Sequence, residues 1–332
     1  MGDEGKDLRL LSVNNLAIAF ATDEGVLRAV DDVSFHINRG ESLGLVGESG
    51  CGKSVTALGL TRLIPSPPGR IAGGEVFFEG RDLLQVDPPE LREVRGNEIS
   101  MIFQEPLSAL SPLHRIGRQM VEGIGFHRRM PQKQAWQYAL SWLQKVGIPD
   151  AAGRMHAYPF QLSGGMQQRV MIAMALMLSP KLIIADEPTT ALDVTTQAQI
   201  FGLIREMKQN ETALLLITHD MGVVWEMCDR VIVMYASRIV ESAELSELFN
   251  RPAHPYTRGL LEAIPGLARG RTHLKDIPGQ VPSPLRYPSG CRFRDRCPHA
   301  FERCRTESPK LVECAAGHWA ACFLAYPDAG EP

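Results

Sequence analysis

An α/β fold with a parallel core sheet is what this chain predicts, and three observations carry that prediction. A short apolar strand, Ser42-Leu43-Gly44-Leu45-Val46, runs straight into a glycine-rich turn and then into a helical run from Val55 to Leu63. Two further apolar runs, Leu182–Asp186 and Ala213–Thr218, are short and continuous, with a helical stretch from Thr195 to Asn210 between them. Strands buried on both faces of a parallel sheet read this way. Ahead of them, Leu16–Phe20 and Val33–Ile37 have the strand pattern of an antiparallel layer.

The remaining elements follow in order. Pro65, Pro67 and Pro68 stop the first helix. Glu75–Gly80 reads as a strand and turn, and Ile99–Phe103 as a strand ending at Gln104. From Leu107 to Phe160 the pattern is helical, with Ala135, Trp136, Ala139, Leu140, Leu143 and Val146 on one face. Ser163 is placed to cap a helix that runs to Leu178 and ends before Pro180. These elements assign residues 1–250 to a nucleotide domain, with a helical subdomain over 107–178. Seven prolines then fall between Pro252 and Pro288. They predict that 251–332 is a loop-rich, Pro/Cys-rich extension rather than another α/β layer.

Composition excludes some functions. A hydrophobic fraction of 44% and a charged fraction of 22% are those of a globular protein. A net charge of −3 gives no electrostatic case for nucleic acid. The longest apolar run, Val170–Leu178, falls far short of the roughly 20 residues a membrane-spanning helix needs. The N-terminus lacks the basic-then-apolar order of a secretory signal, so the expectation is a cytosolic chain whose membrane role requires a partner. Of seven cysteines, Cys51 and Cys228 stand alone, while Cys291, Cys297, Cys304, Cys314 and Cys322 crowd the C-terminal segment. In a reducing compartment such a cluster points to metal rather than disulfides.

Gly47-Glu48-Ser49-Gly50-Cys51-Gly52-Lys53-Ser54 fits G-x-x-x-x-G-K-[ST] in its required strand–loop–helix context. Gly47, Ser49, Gly50, Cys51 and Gly52 present backbone N–H groups to phosphates, and the following helix turns its positive end toward them. Lys53 is expected to reach the β- and γ-phosphates, and Ser54 to ligate Mg²⁺. Asp186 ends an apolar strand at the sheet edge where ligands bind and is expected to hold Mg²⁺, with Glu187 beside it polarising the attacking water. Gln104 is a candidate for the Mg²⁺ shell, and His219 a candidate contact to the γ-phosphate.

The order Gly47–Ser54, Gln104, Leu162-Ser163-Gly164-Gly165-Met166-Gln167-Gln168, Asp186-Glu187, Ala191-Leu192-Asp193, His219 resembles the ATP-binding subunit of ATP-binding-cassette transporters. The resemblance covers roughly residues 10–250 and implies a P-loop NTPase of ABC type. By it, Ser163, Gly164, Gly165 and Gln167 belong to a signature motif that grips the ATP of a second cassette in a head-to-tail dimer. Asp193 is the loop residue crossing that interface, and Phe20 the aromatic stacked on adenine. Glu187, His219 and Lys53 are the catalytic set. One departure is Tyr235-Ala236-Ser237-Arg238, where relatives have Gly before the basic residue.

The tail narrows the resemblance. Arg251-Pro252-Ala253-His254-Pro255-Tyr256-Thr257 and the cysteine spacing resemble the oligopeptide, dipeptide and nickel branch of bacterial and archaeal importers. That resemblance implies that Cys291, Cys297, Cys304 and Cys322 ligate a [4Fe–4S] cluster, with Cys314 spare. Zinc, and free thiols or disulfides, remain alternatives to iron. It implies ATP hydrolysis driving peptide import, with nickel, sugar or another solute as the alternative cargo. It also implies a second, different ATPase subunit, two membrane permeases docked on 107–160, and an extracellular solute-binding protein. The chain would then lie peripherally on the cytoplasmic face of the membrane. A soluble cassette ATPase acting on ribosomes or DNA is the competing class, and one cassette without heptads or a basic patch argues against it.

Overall fold

The structure is a computed structural model that describes residues 8–189, 194–208, 211–264 and 277–326. In chain order its elements begin β1 (Arg9–Thr22), β2 (Gly25–Asn38), β3 (Ser42–Val46), α1 (Lys53–Leu60), β4 (Gly69–Phe78) and β5 (Arg81–Asp82). They continue with α2 (Pro88–Val94), β6 (Ile99–Ile102), α3 (Pro106–Ala109), α4 (Ile116–His127), α5 (Gln132–Lys145), α6 (Ala151–Arg154) and α7 (Gly164–Leu176). Then come β7 (Leu182–Asp186), α8 (Val194–Met207), β8 (Ala213–Thr218), α9 (Met221–Met227), β9 (Arg230–Tyr235), β10 (Arg238–Glu244) and α10 (Leu245–Asn250). The tail adds α11 (Pro255–Glu262), α12 (Glu302–Thr306), β11 (Val312–Ala315) and β12 (His318–Ala320). The chain forms two compact units, 1–84 with 216–332, and 85–215, and β8 is divided between them.

In the first unit, β2, β1, β4 and β5 make the antiparallel sheet, in that order. The expected strands 16–20 and 33–37 are parts of the longer β1 and β2. Their alternation buries Leu11, Val13, Leu16, Ile18, Val33, Phe35 and Ile37. β3 is buried along its whole length and pairs in parallel with β9, Leu45 opposite Ile232. A strand shielded on both faces needs this unbroken apolar run. β9 turns back into β10 through Ala236 and Ser237, both at positive φ (46° and 71°). In this turn two residues with side chains occupy the left-handed region that glycine usually takes.

In the second unit, β6 and β7 pair in parallel, with Ile99 opposite Leu182 and Ile102 opposite Ala185. The predicted amphipathic helix is α5, which buries Ala135, Ala139, Trp142 and Leu143. Tyr138 donates from its hydroxyl to the Met177 carbonyl (2.6 Å), and Arg128 Nη2 to the Leu178 carbonyl (2.9 Å). These bonds satisfy carbonyls that the end of α7 leaves without helical partners. Among the described residues no helix is long and apolar enough to cross a membrane.

The extension departs from expectation in one respect. It is mostly irregular, but β12 adds to the edge of β10 (Glu241 opposite Ala320), and β11 pairs with β12. A buried polar knot sits at this junction. Glu241, 0% exposed, accepts from the Ala253 N–H (2.6 Å), the His254 N–H (2.9 Å) and His318 Nε2 (2.7 Å). Burial alone would raise the Glu241 pKa, but these donors hold it below the ordinary carboxylate value. The bond to Glu241 raises that of His318 against the effect of burial.

The sign of the pH effect follows from linkage. The raised His318 pKa contributes stability that is complete below the unfolded value of 6.5 and is lost as pH climbs through the folded value. The depressed Glu241 pKa contributes stability present above 4.5 and lost as pH falls. His318→Gln is therefore expected to destabilise by about 3 kcal/mol near pH 6, the scale of a broken buried pair, and by much less at pH 9. Paired thermal melts at the two values check this, and a pH-independent difference would remove the ion-pair account.

Candidate functional site

β3 delivers the chain into the loop 47–52, and α1 begins at Lys53 with Gly52 as its N-cap in the left-handed region (φ 106°). The helix thus starts two residues earlier than the apolar pattern alone suggests. Gly47, at φ 152°, is forced by its surroundings. A Cβ there would run into the Met234 carbonyl and stand 2.8 Å from Cys51 Sγ. Only glycine lets the loop pass so close to the β9 backbone.

Lys53 is 5% exposed, and its ammonium donates to the carbonyls of Gly47 (2.8 Å) and Glu48 (3.1 Å). The loop therefore sets the position of the cation by its own backbone. Ser49 and Gly50 are exposed at the loop tip, and Ser54 is half-buried on the first turn of α1. Cys51 is 0% exposed, and burial pushes its thiol pKa up, so it fills space rather than reacting. Phe20, near the end of β1, pairs with Leu27 and Gly69, where any side chain would strike its ring. His219 is exposed directly after β8, beside Asp220, which caps α9 by accepting from the Gly222 N–H (2.8 Å).

In the second unit, Asp186 closes β7 at 6% exposure. Glu187 follows in the left-handed region (φ 44°), a strained choice for a residue with a Cβ. Gln104 Nε2 donates to Glu187 Oε2 (3.3 Å), which brings together two of the residues the sequence singled out. Gln168 donates to the Pro188 carbonyl and ties α7 to the turn after Glu187. Ser163 caps α7, accepting from the Met166 N–H (3.4 Å), and Ser163 and Gly164 are exposed at that helix end. Gln167 Nε2 donates inward to the Pro159 (3.0 Å) and Leu162 (3.1 Å) carbonyls, so it braces the motif. Asp193, with Ala191 and Leu192, lies outside the described residues.

The iron–sulfur expectation is corrected. Cys291, Cys297, Cys304 and Cys322 line one small cavity, and all seven cysteines are free. Yet among the described residues no group of three or more His, Cys, Asp or Glu is arranged to hold a metal ion. Burial raises the pKa of Cys291, Cys297 and Cys322, the last to about 11. Cys314 donates to the His318 carbonyl (3.3 Å).

Four contacts escaped sequence reasoning. Tyr256 Oη accepts the Glu48 N–H (2.8 Å). Arg296 donates with both terminal nitrogens to the Glu48 carboxylate (2.7 and 3.1 Å). Tyr287 Oη lies 2.6 Å from Ser237 Oγ, and the Ser237 N–H donates to the Cys51 carbonyl (3.0 Å). Partners 208 and 248 positions apart leave no local signal.

Comparison with known proteins agrees with the motif reading. Residues 30–190 match the family model described as ABC transporter, and residues 240–304 the one described as oligopeptide/dipeptide transporter, C-terminal region. The probable peptide ABC transporter ATP-binding protein y4tR of Sinorhizobium fredii is 54% identical, over 95% of this chain and 94% of the relative. The oligopeptide transport ATP-binding protein AppD of Bacillus subtilis is 48% identical over 97% and 98%. The dipeptide transport ATP-binding protein DppD of Escherichia coli is 46% identical over 98% and 99%. Among solved structures, a dimeric post-hydrolysis form of the ATP-binding cassette MJ0796 with ADP and phosphate superposes with a TM-score of 0.63. It is 28% identical and covers 71% of this chain and 98% of its own. The chain belongs to the ATP-binding subunits of the ABC transporters, in the oligopeptide/dipeptide branch.

Proposed function

We propose that this subunit hydrolyses ATP to energise the import of oligopeptides or dipeptides. The observation that carries the proposal is a complete phosphate loop with its lysine seated on loop carbonyls, in a chain similar over nearly its whole length to peptide-transport ATP-binding proteins. Residues 1–250 are the nucleotide domain, with the helical subdomain over 107–178, and 251–332 the extension.

The residues divide the work by their chemistry. Phe20 stacks on adenine. The N–H groups of 49–53 and the N-terminal end of α1 bind phosphate oxygens, and Lys53 moves from its carbonyl seats to the γ-phosphate. Ser54, Gln104 and Asp186 offer the hydroxyl, amide and carboxylate oxygens that suit a hard divalent ion. Magnesium, when bound, neutralises charge on the β- and γ-phosphates. Glu187 accepts a hydrogen bond from the attacking water and orients it toward the γ-phosphorus, with His219 beside that phosphate. The exposed N-terminus of α7, with Ser163, Gly164 and Gly165, grips the γ-phosphate held by the partner cassette, and Asp193 crosses the same interface.

ATP closes the two cassettes, and hydrolysis lets them reopen. The second cassette is a related but different chain. Two permeases dock on the helical subdomain, a solute-binding protein delivers cargo from outside, and the subunit sits peripherally on the cytoplasmic face. Identification by mass spectrometry of what the copurified binding protein holds tests the cargo. Short peptides are expected, and a metal chelate or a sugar would overturn peptide import while leaving the ATPase reading in place.

A further inference from the structure

The phosphate loop is gripped from the C-terminal extension at more than one point. Glu48, its second residue, is held on every polar group it owns. Its N–H donates to Tyr256 Oη, its carboxylate accepts two bonds from Arg296, and its carbonyl accepts from Lys53 Nζ (3.1 Å) and the Cys51 N–H (3.3 Å). Cys51 is reached from the tail by a second route, through Ser237 and Tyr287.

The tail's side of this grip is buried. Arg296 is 7% exposed, and its Nε donates to the Pro278 carbonyl (2.8 Å). Tyr256 is 0% exposed and packs against Tyr235 and Phe293, with ring centroids 4.7 and 5.5 Å away. A planar guanidinium bonded to a carboxylate through two nitrogens fixes orientation as well as distance. The restraint reaches chemistry because Lys53 rests on the carbonyl of the residue that Arg296 clamps. A rotation of Glu48 would displace both the lysine's seat and the N–H groups that follow it.

We propose that Arg296 is a positioning residue for ATP: by clamping the Glu48 carboxylate it holds the phosphate loop in its nucleotide-receiving geometry, which makes the C-terminal extension part of the nucleotide site. The inference rests on the phosphate loop being the ATP site. The extension then sets ATP affinity in addition to covering the β10 edge.

The test is titration of the full-length chain with a fluorescent ATP analogue, beside melting temperatures and the ATP dependence of hydrolysis in the assembled transporter. Arg296→Ala is expected to weaken analogue binding about tenfold, the scale of a lost charge-assisted hydrogen bond. It should raise KM for ATP similarly while kcat changes less than about twofold. Arg296→Lys, which keeps the charge but loses the fork, should fall between Arg296→Ala and wild type. Glu48→Gln should weaken binding, and the double variant should be no worse than Arg296→Ala, because both changes remove one contact. A purely architectural role would lower the melting temperature and leave the folded fraction's affinity unchanged. Affinity and KM within twofold of wild type in Arg296→Ala overturn the inference. Should that variant fail to fold, Arg296→Lys and Glu48→Gln decide on the same criterion. Lys53→Ala separates the two levels: its loss of binding beside an unchanged Arg296→Ala sinks only the positioning role, whereas unchanged binding in Lys53→Ala sinks the ATP-site assignment itself.

Discussion

Replacing Glu187 by glutamine is expected to leave ATP binding intact and to slow hydrolysis by about 10²- to 10³-fold, the range general-base groups supply. The substitution keeps size and shape and removes the charge that orients the attacking water. The proposed role draws on how Glu187 is held. Its backbone is held at φ 44°, and its carboxylate accepts from Gln104 Nε2 at 3.3 Å. A residue kept in a sparsely populated conformation is overdetermined by its surroundings, here the buried strand β7 before it and the Gln168–Pro188 bond after it. Single-turnover and steady-state phosphate release check the prediction. In the assembled transporter the variant should hold ATP and accumulate closed pairs of cassettes. Near-normal turnover would remove Glu187 from the mechanism.

Gly47→Ala carries the second large effect. The new methyl would meet the Met234 carbonyl and stand 2.8 Å from Cys51 Sγ, at a φ of 152° that L-residues rarely adopt. Backbone cannot yield as a flexible side chain can, so the loop must shift away from β9. We expect a destabilisation of about 3 kcal/mol, combining clash and strain. We also expect at least ~100-fold weaker ATP binding, because Lys53 loses its seat on the Gly47 carbonyl and the N–H groups turn away from the phosphates. Denaturant melts and equilibrium binding check the two effects separately. A variant that binds ATP normally would show that the loop's close approach to Met234 is dispensable.

The candidate site residues are legible in the sequence because their signals are local. Gly47–Ser54 is one uninterrupted run whose chemistry requires a strand before it and a helix after it, and both are present. Asp186 and Glu187 are announced by the apolar strand they end, and Ser163 by the helix it caps. The strand β12 is three residues long and has no periodicity to read, so its addition to β10 was hidden by the prolines before it. The iron–sulfur assignment implied by the resemblance fails because thiols can lie near one another without their sulfurs pointing at a common centre. Cys291, Cys297, Cys304 and Cys322 share a cavity, yet among the described residues no group is arranged to hold a metal ion. The Arg296–Glu48 pair is invisible for another reason. Each residue looks like an ordinary surface charge until the fold buries the arginine.

The most direct measurement of the central claim is uptake of a labelled peptide by membrane vesicles containing this subunit with its permeases and binding protein, with ATP supplied on the face that exposes this subunit. Uptake that requires ATP, and that stops when Glu187→Gln replaces the wild-type chain although ATP still binds, is the result the mechanism requires. ATP hydrolysis that proceeds at the same rate with and without peptide-loaded binding protein, and moves no peptide, would contradict it.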